Sequence, residues 1–469
     1  EEQSLESRLG DLRLKKPLTT SPNTPLREAL TLIHEKKVGS ILVCEDEKTI
    51  LGIFTRYDVL PRVTLSNIDL NTPISAVMST EVKTLNVDDS AEKAGLMMSR
   101  FNIRHLPILE HGRLVGIISE RDLFSLQRLS LSNISGAIRS ADDVAPLIKC
   151  AEDIRTFARN LLGQGVQARQ LTSLISHLND LLTEQLIALI AQRHQLNLSR
   201  FAWIALGSEG RSEQTITTDQ DNALIYADGE DEAQRLIYLQ FAREVNEALD
   251  ACGYPLCKGN IMASNPELCL SQQQWLNRFS RWMEQGNPED LLKASIFFDL
   301  RALAGNADLL IPLKELVRVK AVAVPRFIKL LAENTLNSGV PLNWFGGINS
   351  TEIDGKKTID LKLQGTAFVV DTARIYSLAY GIDAINTRER LAAVGQALKV
   401  PEAESAGWIT AFEFLQTQRL AAQIGGVTIN GSANVIDLDL LNSVDRSILK
   451  ESLLTVRALQ QHLQLDYVR

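Results

Sequence analysis

The sequence predicts an α+β protein of several domains, and three observations carry that prediction. A strand–turn–strand–helix unit occurs twice near the start, at a constant offset of 64 residues. A strand, a glycine-serine turn and a second strand bearing two aspartates follow between Phe201 and Tyr226. Long stretches with apolar residues every three or four positions separate and follow these segments. A chain of 469 residues exceeds what one hydrophobic core serves, so roughly three or four folding units are expected.

The repeat comes first along the chain. Leu51-Gly-Ile-Phe-Thr55-Arg-Tyr-Asp58-Val-Leu60 recurs as Val115-Gly-Ile-Ile-Ser119-Glu-Arg-Asp122-Leu-Phe124. The same shift, without gaps, aligns Thr20 with Thr84, Glu28 with Glu92 and Leu42 with Leu106. Each copy predicts a helix (Pro25 to Lys36; Ser90 to Ser99) and an apolar strand (Ile41 to Val43; Leu106 to Leu109). A turn and a strand containing Gly-Ile come next, and a helix opens at Thr55 or Ser119. A hydroxyl at a helix start with an acid three residues on has the form of an N-cap with its capping-box partner.

These copies resemble CBS domains over about Lys16 to Gln127. The resemblance implies an adenine nucleotide in the cleft, with Asp58 or Asp122 on the ribose hydroxyls and Thr55 or Ser119 at phosphate. Arg104 and His105 precede the second copy's apolar strand where Ser40 and Ile41 stand in the first, which makes the second copy the more polar partner for phosphates.

From about Ser130 to Leu198 the periodicity is helical, in two stretches (Ala141 to Leu162 and Gln167 to Gln195) parted by Gly163 to Gly165. The expected role is a helical connector.

Chemistry concentrates in the next segment. Phe201 to Leu206 reads as a strand, then Gly207-Ser208-Glu-Gly-Arg211-Ser-Glu213 turns, and Asp219-Gln220-Asp221-Asn222 opens a second strand. Alternation on a strand places Asp219 and Asp221 on one face and Gln220 on the other. Two neighbouring carboxylates repel unless one is protonated or a cation lies between them. Magnesium suits two such acids, because it takes few protein ligands and shares phosphate oxygens. A Gly-Ser turn lets a phosphate chain approach the main chain closely.

Gly207-Ser208 followed by Asp219-x-Asp221 resembles the nucleotidyltransferase superfamily that shares the DNA-polymerase-β palm. The fuller string, through Arg211, Glu213 and Thr218-Asp219-x-Asp221-Asn222, is similar to the uridylyltransferase of the PII protein. It looks closest to a family of CBS-domain-containing nucleotidyltransferases, whose domain order matches Lys16 to Arg469. The resemblance implies a mixed-sheet core and catalytic, metal-holding roles for Asp219 and Asp221. Gly207, Ser208, Arg211, Glu213, Asn222 and Lys258 would form the nucleotide site. The cofactor is expected to be Mg2+ or Mn2+, the substrate a nucleoside triphosphate, and the CBS regulator an adenine nucleotide. The segment from Tyr254 to Asn265, where such enzymes carry a third carboxylate, holds no acid; Lys258 and Asn260 stand there as contacts to phosphate or base.

After Trp275 amphipathic helices resume (Glu289 to Leu303, Pro312 to Asn334, Thr372 to Leu398), with an interruption from Val340 to Thr366 that is richer in Gly and Asn. This region is expected to close over the nucleotide and select the acceptor, with Arg301, Lys362 and Arg374 as candidate phosphate contacts. Trp275, Trp282 and Trp344 are expected in the core. The expected division is a linker at 1–16 (following a domain upstream of this sequence), the CBS pair at 17–129, the connector at 130–198, the transferase core at 199–285 and a helical domain at 286–469.

A net charge of −8 argues against a general nucleic-acid footprint. Five irregularly spaced cysteines read as reduced thiols, hence a cytoplasmic protein; the resemblance to CBS-domain-containing nucleotidyltransferases implies a bacterial-type one. The longest apolar run, around Leu186 to Ala191, is too short to cross a membrane. The expected partners are the triphosphate and an acceptor that is a protein or a small molecule; CBS pairs commonly dimerise, so a homodimer is expected. The competing expectation is a catalytically inactive nucleotide-binding protein that regulates a partner.

Overall fold

Asn102, in the left-handed region at φ 51°, ends one helix of the repeat, and Lys37 at φ 54° ends the other. The computed structural model that shows this describes residues 7–46, 49–426 and 428–468, with backbone alone at 124–125 and 127–130. Residues 1–6 of the expected linker lie outside the described residues. The chain forms two compact units, the first ending at Asn133 and the second beginning at Ile134.

The first unit holds both repeats. One contains β1 (Thr19–Thr20), α1 (Leu26–Glu35), β2 (Ser40–Cys44) and β3 (Ile50–Thr55). The other contains β4 (Leu85–Asn86), α2 (Ala91–Phe101), β5 (His105–Glu110), β6 (Arg113–Ser119) and the first part of α3 (Glu120–Ser140). Each forms a three-stranded sheet, the first strand parallel to the second and the second antiparallel to the third. The offset of 64 holds for β3 and β6, where Gly52 pairs with Val43 and Gly116 with Ile108. Those partners are themselves 65 apart, so the equivalence expected between Leu42 and Leu106 slips by one residue. The slip is already present at β1 and β4, where Thr20 pairs with Val43 and Leu85 with Ile108, and the second hairpin, one residue shorter between its partners, restores the offset of 64. The second hairpin turns at His111-Gly112, both at positive φ (49° and 77°), which suits a tight two-residue loop.

The helix expected after Thr55 also differs. The chain makes a 3-10 turn (Arg56–Asp58) and then a wider π turn (Val59–Thr64), whereas α3 runs unbroken. Pro61 accounts for this, since it has no N–H for the carbonyl four residues back and its ring crowds that turn.

The second unit starts with α4 (Val144–Gly163) and α5 (Ala168–Arg193). The sheet begins at β7 (Phe201–Ala205), and after the short α6 (Gly207–Gly210) comes β8 (Asn222–Tyr226). Next come α7 (Glu232–Ala251), β9 (Cys269–Ser271), α8 (Gln272–Gln285), α9 (Pro288–Ala294) and β10 (Arg301–Gly305). The sheet is mixed, in the order β10-β7-β8-β9, with only β8 and β9 parallel. Every residue of β7 and β8 is buried, as helices on both faces of a sheet require. Phe241 of α7 stacks edge-on against Phe201 at 5.3 Å, and Trp275 of α8 donates Nε1–H to the Leu224 carbonyl at 3.0 Å.

Beyond the sheet come α10 (Ile311–Ala323) and α11 (Pro325–Leu336), then a ribbon of β11 (Thr351–Ile353) and β12 (Lys356–Asp360). Helices α12 (Ala367–Tyr380), α13 (Thr387–Ala397) and α14 (Glu402–Ile424) precede β13 (Val435–Asp437) and α15 (Ser443–Tyr467). β13 pairs with β12, so a small sheet stands where the sequence reads Gly- and Asn-rich. One continuous apolar core joins the mixed sheet to these helices, including Phe279, Phe298, Phe327, Tyr376, Leu415 and Leu453. Trp275 is in that core, while Trp344 is 94% exposed, contrary to the expectation from its size.

Candidate functional site

The turn after β7 is shaped by two glycines. Gly207 sits at φ 57°, and a Cβ there would lie 3.1 Å from Asp221 Oδ2 and 3.0 Å from Ile296. Gly210 has no room at all: a Cβ would fall 1.9 Å from the Asp299 carbonyl oxygen. The main chain therefore runs against the Asp221 carboxyl on one side and the Asp299 backbone on the other.

Gly207, Ser208, Arg211, Glu213, Asp219 and Asp221 line one cleft, together with Lys362, Asp371, Arg374, Gln416, Arg419 and Asn434 from the C-terminal helices and ribbon. Both aspartates precede β8 instead of standing on it, yet Gln220 between them points away. Its amide donates to the carbonyls of Asn246 and Tyr254, each at 2.9 Å. Burial, and then the charge of Asp219, push the Asp221 carboxyl up to about 7. Cys257 Sγ lies 3.4 Å from Asp221 Oδ1. Two acids this close repel, and a cation placed between them would relieve that repulsion.

Two expected nucleotide contacts are placed elsewhere. Asn222 is buried behind the cleft, where its Oδ1 accepts from Asn246 Nδ2 at 3.0 Å and the Ala263 amide at 2.8 Å. As the first residue of β8 it faces the side opposite Asp221 and serves to tie loop 260–264 to the sheet. Lys258 is exposed in the turn after Pro255 and is not among the residues lining the cleft.

Arg211 is already occupied. Its Nη1 donates to Asp299 Oδ2 at 2.7 Å and its Nε to Glu213 Oε2 at 3.0 Å. Asp299, fully buried, also accepts from Arg374 Nη2 and Arg390 Nη1, each at 2.6 Å. Burial opposes ionisation of Asp299, but the charges of Arg374, Arg390 and Arg211 outweigh it and hold the carboxyl far below its ordinary range. Glu213 accepts from Thr387 Oγ1 at 3.0 Å and from the Thr387 amide. The loop is thus locked to the start of α13, 174 residues on in sequence. Arg301 donates to the carbonyls of Gly210 and Glu209 and pairs with Asp180, away from the cleft.

Sequence reading passed over Asp299, Asp371, Arg390, Gln416, Arg419 and Asn434. No local motif surrounds them; each is brought in by long-range packing. It also passed over Glu209, whose carboxyl is pushed up to about 8 by burial first and then by the charge of Asp180.

In the first unit, Thr55, Asp58, Arg104 and His105 share a cleft of about 670 Å³. The expected capping contacts are present: Asp58 Oδ2 accepts from Thr55 N at 2.7 Å and Oγ1 at 2.9 Å. Asp122 Oδ2 accepts likewise from Ser119. Ser119 and Asp122 lie outside this cleft, and Asp122 is instead bound by Lys15 Nζ at 2.6 Å. Arg104 therefore lines the same cleft as the first copy's Asp58, while its Nε lies 3.7 Å from Glu120 Oε2 in its own copy. It stacks over the Tyr57 ring at 4.2 Å and donates to Tyr57 Oη at 2.6 Å. Among the described residues, buried His105 Nδ1 has no hydrogen-bond partner.

Among the described residues, no helix is long and apolar enough to cross a membrane.

Comparison with known proteins covers both units. The family model described as "Putative nucleotidyltransferase DUF294" matches residues 152–289, "Putative nucleotidyltransferase substrate binding domain" matches 325–467, and "CBS domain" matches 9–64 and 74–128. The chain is similar to the CBS domain-containing protein YhcV of Bacillus subtilis, 38% identical over 117 residues that make up 25% of this chain and 83% of that protein. It is also similar to a 17.7 kDa protein of Acidianus ambivalens, 30% identical over 120 residues, 25% of this chain and 72% of that one. Among solved structures, a conserved protein from Pyrococcus horikoshii is 30% identical and covers 27% of this chain and 95% of its own, at a TM-score of 0.26.

Proposed function

We propose, from the premise that this chain belongs to the family of CBS-domain-containing nucleotidyltransferases, that its second unit transfers a nucleoside monophosphate from a nucleoside triphosphate to an acceptor. One observation carries the reading: Asp219 and Asp221 share a cleft with the Gly207-Ser208 turn, and the Asp221 carboxyl is raised to about 7 by burial and by its neighbour's charge.

Two carboxylates and a hydroxyl make a hard-oxygen donor set, which fits magnesium or manganese with coordination positions left for phosphate. Asp219 and Asp221 would hold the ion. When bound, it supplies neutralisation of the phosphate oxygens and of the charge developing on the leaving group. Gly207 offers its main chain, and Ser208 its hydroxyl, to the triphosphate. The acceptor oxygen forms a bond to the α-phosphorus as the bond to the bridging oxygen breaks. Pyrophosphate departs with that electron pair, and the acceptor proton passes to solvent. The Arg211–Glu213–Asp299 lock keeps the loop in place, so the turn is preorganised for this displacement.

The first unit is read as the receptor for an adenine nucleotide that biases the second. Arg104 on Tyr57, the orphaned His105 Nδ1 and the Thr55–Asp58 pair offer a stacking face, a polar partner and a ribose acceptor in one cleft.

Pyrophosphate release tests the transfer. The full chain is incubated with magnesium and each labelled triphosphate in turn, beside the Asp219→Ala/Asp221→Ala double variant. Release from the parent and its loss in the variant support the reading; release that survives in the variant removes these acids from the mechanism. A second reading, retention of nucleotide without transfer, is favoured by one fact: the segment from Tyr254 to Asn265 offers no third acid to join Asp219 and Asp221. Tight triphosphate binding without pyrophosphate would select it.

A further inference from the structure

Arg419 is a largely buried cation that forms no ion pair among the described residues. It projects from α14 into the cleft of Asp219 and Asp221, and only neutral groups hold it: Nε donates to Asn434 Oδ1 at 3.0 Å and Nη1 to Gln416 Oε1 at 2.7 Å. The acids nearest in charge are committed elsewhere. Asp360 Oδ1 accepts from the amides of Lys362 and Leu363, and Glu213 is taken by Arg211 and Thr387. Burial, then the neighbouring charge of Arg211, pull the Arg419 guanidinium down to about 10. A buried charge without a counterion costs free energy, so folds place one only where other contacts compensate or a ligand neutralises it.

The contrast with the other arginines of the wall is informative. Arg211 and Arg374 are each matched by two carboxylates, which accounts for Glu213, Asp299 and Asp371. What remains unmatched in the cleft is Asp219 and Asp221 among the acids, and Arg419 with exposed Lys362 among the bases. A cation for the first pair and a polyanion for the second would balance the whole cleft.

We propose that Arg419 is the receptor for the polyphosphate chain of the substrate, with Gln416 and Asn434 orienting its planar donor fork. A guanidinium offers paired N–H donors that match two oxygens of one phosphate. Asn434 Oδ1 also accepts from Gln423 Nε2 at 3.3 Å, while Gln423 Oε1 accepts from the Thr217 amide at 3.1 Å. The receptor is therefore wired to the segment that leads into Asp219. This assignment rests on the triphosphate reading above and adds the residue that grips the phosphates.

The test uses tripolyphosphate, which every nucleoside triphosphate shares whatever its base. Binding to the full chain is measured by calorimetry, with and without magnesium, for the parent, Arg419→Gln and Arg419→Lys, alongside thermal unfolding of each free protein. The expected result is a loss of tenfold or more in affinity for Arg419→Gln, on the order of one charge-assisted contact, present also without magnesium. Arg419→Lys recovers part of it. The melting temperature of free Arg419→Gln is unchanged or higher, because an uncompensated charge has been removed. Equal binding by the parent and Arg419→Gln overturns the assignment while leaving the triphosphate reading standing. A drop in the free protein's melting temperature together with weaker binding also overturns it, since the arginine would then be structural. A parent that binds neither tripolyphosphate nor any triphosphate overturns both.

Discussion

Asp299 and Arg374 form a two-pronged ion pair, with Nε 2.9 Å from Oδ1 and Nη2 2.6 Å from Oδ2. The aspartate precedes β10 and the arginine lies on α12, so this contact pins the C-terminal helices to the sheet. Arg211 and Arg390 complete the arrangement. Replacing Asp299 with Asn leaves three guanidiniums crowded around a neutral group. A loss of about 3–5 kcal/mol is expected in a denaturant titration, the cost of breaking a buried ionic network from one side. Retention of parental stability would show that the arginines find other partners.

The same group sets an acid limit. The folded-state pKa of Asp299 lies far below that of the unfolded chain, so the native state binds fewer protons there. Its stabilisation is complete above the ordinary carboxylate range, near pH 4, and is lost as pH falls toward the folded value. Acid unfolding followed by circular dichroism should show a shallower decline below pH 4 for Asp299→Asn than for the parent.

Glu209 works in the opposite direction. Burial raises its carboxyl to about 8, so the folded state holds the proton longer than the unfolded chain does. The stabilisation is full below the unfolded value of about 4.3 and drains away as pH rises to 8. Glu209→Gln, which is neutral at every pH, should flatten the fall in melting temperature between pH 5 and pH 9. An unchanged slope would place the titration elsewhere.

Asp221→Asn removes one of two repelling acids, so in the absence of divalent cations its melting temperature should equal or exceed the parent's. The same variant should lose the stabilisation that magnesium gives the parent, read by scanning calorimetry at fixed ion concentration. Magnesium raising both proteins equally would locate the ion away from this pair.

The two acids of the repeat are predicted to behave differently. Asp58 faces the cleft that holds Arg104 and His105, whereas Asp122 is held by Lys15. Asp58→Ala should weaken binding of adenosine monophosphate by on the order of tenfold or more, while Asp122→Ala leaves that cleft's affinity nearly intact. Titration calorimetry with each variant distinguishes them; a larger loss in Asp122→Ala would reverse the assignment.

The repeat and the Gly207–Asp221 turn were legible because each is local, whereas the mixed sheet was expected from the resemblance and is built from distant strands. Capping, strand alternation and turn chemistry act over three to ten residues, and the contacts of Thr55 with Asp58 follow from spacing alone. The single-residue slip between β2 and β5 was hidden because an ungapped match at Gly52 and Gly116 dominates the comparison. Asn222 was named for the cleft from the resemblance, although alternation from Asp221 already puts it on the opposite face, where Asn246 and the Ala263 amide hold it. The second wall of the cleft was illegible for a different reason. Nothing local marks Asp299, whose arginine partners lie 75 to 91 residues away, or Arg419, whose meaning lies in its lack of a carboxylate partner among the described residues. Arg374 was a candidate by charge alone, and its commitment to Asp299 and Asp371 shows how little charge says about availability.

The lock between Glu213 and Thr387 has a bearing on biosynthesis. A chain emerging N-terminus first exposes the Gly207 turn and both aspartates well before Thr387 and Arg419 leave the ribosome. During that interval the turn lacks its anchor and the anion-gripping wall does not exist. Ligand capture thus awaits completion of the polypeptide, and a chain released early carries half a site that holds nothing.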